Sequence, residues 1–248
     1  MMKKFYPSSG SAEAEIALMF SSEPHISNPK NHCVPTTILD VPDEEGVQLL
    51  VMPLLLSWEE PKFSTVGEVL DFFRQVFEVS LPRHSLLLIL ISCFRGPSIH
   101  AYQWRSSPVR VDNPEEITSS HFCRDCKYDN ILMNPTGLYS ILPHPMDSDK
   151  ARDFKSKPSH TTRTLAPVRY YFIDFGHAKK YDLSVPPEER LERPKWGAGD
   201  RTIPEFKKDE LCDPFAVDVY CIGHLILSHF LDVRTLIIKQ YRKLRPFF

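Results

Sequence analysis

The stretch "HFCRDCKYDNILMN", His121 to Asn134, decides how this sequence is interpreted. It places Asp125 and Lys127 ahead of Asn130, which opens an apolar run. A second acidic position follows in "VRYYFIDFGHAKKY", where Asp174 comes after a strand-like run and before a glycine. Phosphoryl transfer needs one carboxylate to accept a hydroxyl proton, and it needs amide and carboxylate oxygens to hold Mg²⁺. The order and spacing of the two stretches therefore predict a phosphotransferase site.

Composition narrows the classes of protein to which the chain can belong. Its 248 residues are 42% hydrophobic with a formal net charge of −2, so the chain can bury a core and shows no basic surface that favours nucleic acid or a membrane. The longest apolar run, Leu86 to Ile91, is far shorter than the ~20 residues of a membrane-spanning helix. Six cysteines without a secretory signal favour a reducing, intracellular setting, cytoplasmic or nuclear, with small molecules or proteins as partners.

Hydrophobic periodicity predicts three helices and two pairs of strands. Helical spacing occurs in "EAEIALMF", in "TVGEVLDFFRQVFEV" after a Ser64 or Thr65 cap, and in "FAVDVYCIGHLILSHFL". "CVPTTILDV" and "GVQLLVMPLLL" predict a hairpin around the acidic turn "PDEEG". "NILMN" and "VRYYFIDFG" predict two strands separated by a long polar loop. From Val79 to Ser120 the periodicity fails, which predicts irregular structure.

The motifs "RDCKYDN" and "DFG", in this order, resemble those of the eukaryotic protein-kinase superfamily, and the chain looks closest to the expanded kinase-like proteins of mushroom-forming fungi. The resemblance implies that Asp125 is the catalytic aspartate and that Lys127 approaches the transferring phosphate. It implies that Asn130 and Asp174 bind the magnesium of a nucleotide, so that ATP and Mg²⁺ are the cofactors. It also implies phosphoryl transfer to serine or threonine of an unidentified protein substrate.

The same resemblance assigns residues upstream of the catalytic motifs. "LLVMPLL" is similar to the strand and hinge that hold adenine, with Met52 as gatekeeper followed by Pro53 and Leu55. Glu13 or Glu15 resembles the helix acid that pairs with the nucleotide lysine. No V-A-I-K-type strand is recognisable before this helix, so the simpler interpretation is a pair of helix-surface acids without their lysine.

Residues after the second motif also fit the resemblance. "IPEF" lies where the family has A-P-E, which implies that Glu205 closes the activation segment and that Thr202 lies on its substrate side. Asp218, in "VDVYCIG", resembles the helix aspartate that braces the catalytic loop.

The expected fold is α+β and protein-kinase-like, with a mainly helical C-lobe and a remnant antiparallel N-lobe sheet of two or three strands. Residues 1–57 are expected to form a partial N-lobe, 58–232 a C-lobe with an irregular insertion at 79–120, and 233–248 a divergent tail. No G-x-G-x-x-G precedes the first helix, and Cys123 replaces the loop histidine of the family. The activity of this chain alone is therefore expected to be impaired.

Three alternatives remain open at this point. One is a catalytically silent, pseudokinase-type module that binds a protein partner. Another is an incompletely spliced kinase fragment, because Val79-Ser80 and Val233-Arg234 are each encodable as splice donors. The third is a zinc or redox site at Cys123-x-x-Cys126, for which no second cysteine or histidine pair follows at ligand spacing.

Overall fold

The computed structural model describes residues 1–6, 12–80, 121–122, 126–181, 185–193, 202–203 and 210–231. Within these residues the fold is α+β, with small antiparallel sheets and three α-helices. The chain divides into two compact units: unit 1 comprises Met1–Ser80 and Asp129–Lys179, and unit 2 comprises Leu81–Tyr128 and Lys180–Phe248. The expected insertion beyond Ser80 and the expected tail lie outside the described residues.

The first sheet of unit 1 has three antiparallel strands in the order β1-β3-β2. They are β1 (Met2–Phe5), β2 (Thr37–Asp40) and β3 (Gln48–Val51). β2 and β3 form the predicted hairpin, in whose turn Gly46 takes a φ of 74° that favours glycine. β1 pairs with β3 along its whole length. The sequence does not predict β1, because two adjacent lysines in four residues give no hydrophobic alternation.

Helices α1 (Glu13–Phe20) and α2 (Val66–Ser80) lie where the periodicity predicts them. Of the two predicted caps of α2, Thr65 is the one observed: its Oγ1 accepts the N–H of Glu68 at 3.2 Å. This bond satisfies one of the N–H groups that the first turn of a helix leaves without a partner.

Glu68 fastens the start of α2 to a distant loop. Its carboxylate accepts the N–H of Ser64 at 2.6 Å, and it accepts both the N–H and the hydroxyl of Thr164 at 2.8 Å. Burial alone would raise the pKa of the Glu68 carboxyl, yet these hydrogen bonds lower the pKa below its ordinary value. An ionised carboxylate therefore holds this corner of unit 1 together.

A second sheet of unit 1 carries the two strands that flank the predicted metal ligands. Its antiparallel strands are β4 (Leu56–Ser57), β6 (Ile131–Met133) and β11 (Tyr170–Phe172), in the order β11-β6-β4. Helix α2 packs on it through Phe72, which is fully buried and meets the ring of Tyr170 in β11 edge-on with 4.8 Å between ring centroids. The pairing of β6 with β11 confirms the prediction that these two strands meet across the long loop.

The loop between β6 and β11 contains more regular structure than the sequence predicts. Four short strands lie in it: β7 (Tyr139–Ile141), β8 (Pro143–His144), β9 (Asp147–Ala151) and β10 (Ser159–His160). β7 pairs with β10, and β8 pairs with β9. Polar runs such as "DSDKA" show no hydrophobic alternation, so the prediction of a long polar loop did not include these four strands.

Unit 2 is built around helix α3 (Pro214–Ile226), which confirms the last predicted helix. Asp213 caps it by accepting the N–H of Phe215 at 3.0 Å, and Pro214 occupies the first helical turn, where its missing N–H costs nothing. The helix continues into a π-helical turn, Leu227–Leu231. Two further short strands, β5 (His121–Phe122) and β12 (Lys179–Lys180), lie in the described part of the chain. No helix in the described part of the chain is long and apolar enough to cross a membrane.

Candidate functional site

A lysine near the start of the chain joins two carboxylates from distant parts of the sequence. Lys3 Nζ lies 2.6 Å from Oε1 of Glu13 and 3.1 Å from Oδ1 of Asp174. The ammonium thereby links strand β1, the first turn of α1 and the segment that follows β11. All three residues belong to unit 1, so this Lys3 cluster (Lys3, Glu13, Asp174) lies within one compact body.

The backbone around Asp174 is shaped to hold its carboxylate in the cluster. Asp174 has a φ of 62°, a left-handed conformation that aspartate adopts more readily than most residues. The N–H of Gly176 donates to Asp174 Oδ1 at 3.3 Å. A Cβ atom on Gly176 would lie 3.2 Å from that oxygen and 3.6 Å from Oε2 of Glu13. A larger residue at position 176 would therefore crowd both carboxylates.

The three members of the Lys3 cluster differ in exposure. The Glu13 side chain is 10% exposed, whereas those of Lys3 and Asp174 are 42% and 45% exposed. Glu13 is thus a buried anchor, and Lys3 and Asp174 are open to a ligand from the surface. An ammonium has three N–H groups, of which two are directed at carboxylates here, so one is left for a further acceptor.

Charge pairing shifts the pKa of both exposed members of the cluster. Partial burial alone would lower the pKa of Lys3, but the hydrogen bonds and charges of Glu13 and Asp174 raise it. Burial alone would raise the pKa of Asp174, but the Lys3 ammonium and the Gly176 N–H lower it. At neutral pH the cluster therefore presents an ammonium and an ionised Asp174 side by side.

Asn130 comes next to the segment of Asp174 because β6 and β11 pair. The N–H of Ile173 donates to Asn130 O at 3.0 Å, which extends the antiparallel register one residue beyond the pair Phe172 and Ile131. Asn130 is buried at the end of a 3₁₀ turn, Tyr128–Asn130. The two segments meet as the sequence predicts, and the shared binding of one magnesium by Asn130 and Asp174 remains a prediction.

Phe175, the middle residue of the "DFG" motif, packs against helix α1. Its side chain is buried, and its ring centroid lies 6.2 Å from that of Phe20 at the end of the helix. The contact ties the segment that carries Asp174 to the helix that carries Glu13, so both carboxylates of the cluster rest on one packed body.

The predicted adenine-binding segment follows strand β3. The N–H of Met52 donates to Met1 O at 3.0 Å, and the Met1 amino group donates to Met52 O at 2.7 Å. The backbone groups of Met52 are therefore occupied within the first sheet. Pro53 is exposed and Leu55 is buried. Contacts of Met52, Pro53 and Leu55 with adenine remain a prediction.

Of the two predicted phosphoryl-transfer residues, Lys127 belongs to unit 2. Asp125 lies outside the described residues, as do Cys123 and Glu205. Lys127 is half-buried, and Asp218 is 2% exposed on helix α3. The catalytic roles of Asp125 and Lys127 remain predictions.

Thr202 contacts the same helix. Its Oγ1 lies 3.3 Å from the hydroxyl of Tyr220 and 3.3 Å from Nδ1 of His224, two side chains one turn apart on α3. These contacts hold Thr202 against helix α3 and do not test its predicted place on the substrate side of the activation segment.

Lys3 is the member of the site that the sequence did not reveal. The interpretation of Glu13 as a surface acid without a lysine is wrong, because Glu13 is buried and paired with Lys3, whereas Glu15 is exposed. In the sequence, Lys3 lies ten residues before Glu13, the first residue of helix α1. This order of a lysine followed by a helix acid is the signal that could have revealed the pair. A four-residue strand with two charges carries too little periodicity to be recognised.

Comparison with models of known protein families gives no match for this chain, and no curated protein matches it either. Among the residues that the structure describes, no three or more histidine, cysteine, aspartate or glutamate side chains are grouped to hold a metal ion. Cys126 is a buried cysteine, and Cys123, the other half of the Cys-x-x-Cys pair that could form a zinc or redox site, lies outside the described residues.

Proposed function

We propose that this chain is a kinase-type protein that binds ATP with Mg²⁺ and transfers a phosphoryl group to serine or threonine of a protein substrate. The observation that carries the proposal is the Lys3 cluster, in which a half-exposed ammonium is anchored by a buried carboxylate beside the aspartate of the "DFG" motif. The sequence resemblance at "RDCKYDN" and "DFG" supports the same function.

The Lys3 ammonium suits the phosphates of a nucleotide. Glu13 holds it from the buried side, so the lysine loses little further freedom when a ligand arrives. Its remaining N–H can donate to a phosphate oxygen, and such charge-assisted hydrogen bonds are about twice as strong as neutral ones. The residue therefore supplies the phosphate contact that the sequence alone led us to regard as missing.

Asp174 and Asn130 offer carboxylate and amide oxygens, the hard ligands that Mg²⁺ prefers. The lowered pKa of Asp174 keeps its carboxylate ionised, so metal binding at neutral pH releases no proton from it. A bound Mg²⁺ would supply charge neutralisation on the phosphates. The residues present thus fit the cofactor pair that the resemblance implies.

Transfer to a protein hydroxyl would use Asp125 to orient the hydroxyl and accept its proton, and Lys127 to approach the phosphate. No G-x-G-x-x-G is present in the sequence to cover the phosphates. Because positioning and electrostatics supply most of kinase catalysis, we expect slow turnover. Nucleotide binding without any transfer would instead indicate the silent pseudokinase-type module.

Calorimetric titration of the purified chain with ATP, with and without Mg²⁺, tests the proposal. We expect Mg²⁺-dependent binding that Asp174→Asn weakens about tenfold or more, since a contact to a charged group contributes about 1.5–3 kcal/mol. Asp43→Asn is the matched control, because Asp43 is an exposed aspartate with a similar φ of 65°. Equal affinity of wild type and Asp174→Asn for Mg·ATP would refute the proposal that Asp174 binds the nucleotide's Mg²⁺.

A phosphate-transfer assay then separates an enzyme from a silent module. Radiolabelled ATP is incubated with the chain and a generic protein acceptor, with Asp125→Asn as the catalytic control. Label that appears on acceptor serine or threonine and is lost in Asp125→Asn supports the enzyme. Binding without labelled acceptor supports the silent module.

A further inference from the structure

A cleft of about 290 Å³ lies in unit 1 between strand β11 and the loop that follows helix α1. Its apolar wall includes Phe20, Ile26 and Tyr171, none of which is fully buried. Successive side chains of a strand point to opposite faces of a sheet, so Tyr171 faces the cleft while Tyr170 and Phe172 lie in the core. The cleft therefore lies on the side of β11 that faces away from the buried rings.

The loop wall of the cleft is held in place by the side chain of Asn31. Its Nδ2 donates to the backbone oxygens of Phe20 at 2.8 Å and of His25 at 3.0 Å. Its Oδ1 accepts the N–H of Cys33 at 3.0 Å. These bonds fix the loop against the end of α1. A wall that is already fixed loses little conformational entropy when a ligand binds, and such preformed clefts are typical of small-molecule sites.

Arg169 is the one charged residue among the described residues that line the cleft. Its Nη2 donates to Pro29 O at 2.8 Å and to Asn31 O at 2.7 Å, which positions the guanidinium. The guanidinium carbon lies 5.7 Å from the centre of the Tyr171 ring, a favourable cation–π distance. The three N–H groups on Nε and Nη1 meet no acceptor among the residues that the structure describes.

The charge of this guanidinium does not depend on pH in the range in which proteins are folded, because arginine stays protonated. No carboxylate pairs with Arg169 in the described part of the chain. The cleft thus combines a positioned cation, which has donors to spare, with an apolar wall. Arginine in such a setting recognises anions through charge-assisted hydrogen bonds.

We propose that this cleft binds a small carboxylate with an apolar body, whose charged group contacts the remaining N–H groups of Arg169 and whose body packs on the apolar wall. A single cation balances a single negative charge, which favours a monoanion over a phosphate dianion. A volume of about 290 Å³ is at the small end of ligand sites and favours a molecule of about ten non-hydrogen atoms. The proposal uses no residue of the Lys3 cluster, so it stands apart from nucleotide binding.

Benzoate is the probe for this site, and benzamide is its neutral analogue of nearly the same shape. Amide NMR of the full chain during titration should show saturable shifts at Cys33 and Tyr171, with a dissociation constant on the order of 1 mM or lower. Benzamide should bind about tenfold or more weakly, because it lacks the charge that Arg169 meets. Inorganic phosphate, which has no apolar body, should cause no saturable shift there. Equal affinity for benzoate and benzamide would overturn the proposal, as would saturable shifts confined to other parts of the chain.

Two substitutions then locate the bound carboxylate. Arg169→Gln removes the charge but keeps an amide donor for the two loop carbonyls, and it should weaken benzoate binding about tenfold or more. Arg152→Gln is the matched control, because it removes the same charge from an exposed position of unit 1 and should bind benzoate as wild type does.

If Arg169→Gln does not fold, Ile26→Glu replaces it. Ile26 is 48% exposed, so the fold should tolerate the change, and a carboxylate at the cleft should repel benzoate. Undiminished benzoate binding in folded Arg169→Gln or in Ile26→Glu would overturn the proposal.

Discussion

Substituting alanine for Lys3 removes the ammonium from both carboxylates of the cluster at once. The larger consequence falls on Glu13, because its carboxylate stays buried with this ion pair broken. A fully buried pair would cost about 3–5 kcal/mol when broken. The Lys3 side chain is 42% exposed and solvent screens the pair, so we expect about 1–2 kcal/mol. The half-exposed contact to Asp174 adds little to folding stability.

The effect on ligand binding should be larger than the effect on folding. A phosphate contact from a charged donor contributes about 1.5–3 kcal/mol, which corresponds to an affinity loss of about 10- to 150-fold. Lys4→Ala is the matched control, because Lys4 is the adjacent lysine of the same strand and pairs with the exposed Glu44. It removes the same charge from the chain without touching the cluster.

The assay combines thermal unfolding with Mg·ATP titration of wild type, Lys3→Ala and Lys4→Ala. We expect Lys3→Ala to lower Tm by roughly 2–8 °C, given about 2–4 °C per kcal/mol for a chain of this size, and to lose most of the stabilisation by Mg·ATP. Lys4→Ala should bind as wild type does. If Lys3→Ala and Lys4→Ala bound Mg·ATP equally well, the inference from the Lys3 cluster to a phosphate site would be refuted.

Further substitutions test the charges of the Lys3 cluster and the packing of unit 1. Glu13→Gln should weaken Mg·ATP binding in the same titration, while the exposed Glu15→Gln should leave it unchanged. Phe72→Ala should reduce the unfolding free energy in urea by about 3–5 kcal/mol, whereas Leu70→Ala, on the exposed face of α2, should change it by less than about 1 kcal/mol. Burial alone would raise the pKa of Glu68, but its hydrogen bonds lower the pKa below the ordinary value. Because the folded-state pKa is lowered, the ionised carboxylate stabilises the fold above about pH 4.5, and this stabilisation is lost on acidification. Stability curves of Glu68→Gln should therefore fall less steeply below pH 4.5 than those of wild type.

Local pattern was sufficient where an element is long or strongly amphipathic. Helix α2 shows several turns of regular apolar spacing, so the helix was predicted with a cap at Ser64 or Thr65, of which the structure shows Thr65. The hairpin of β2 and β3 was predicted because two β-rich runs flank a turn that glycine closes. Short polar strands carry no such signal, and the strands between β6 and β11 were missed for that reason.

The sequence by itself determined the candidate site residues, which are those of "RDCKYDN" and "DFG". It also determined that β6 and β11 are strands. Only the tertiary structure decided which lysine pairs with Asp174 and which glutamate is buried. Lys3 and Asp174 are 171 residues apart, and no periodicity connects positions at that separation. Their contact arises because β1 pairs with β3, β11 pairs with β6, and the packing of Phe175 on α1 brings both carboxylates to one ammonium. Such pairing is stabilised by the apolar surface that both sheets bury together. That buried surface is a property of the whole folded chain and cannot be read from any single segment.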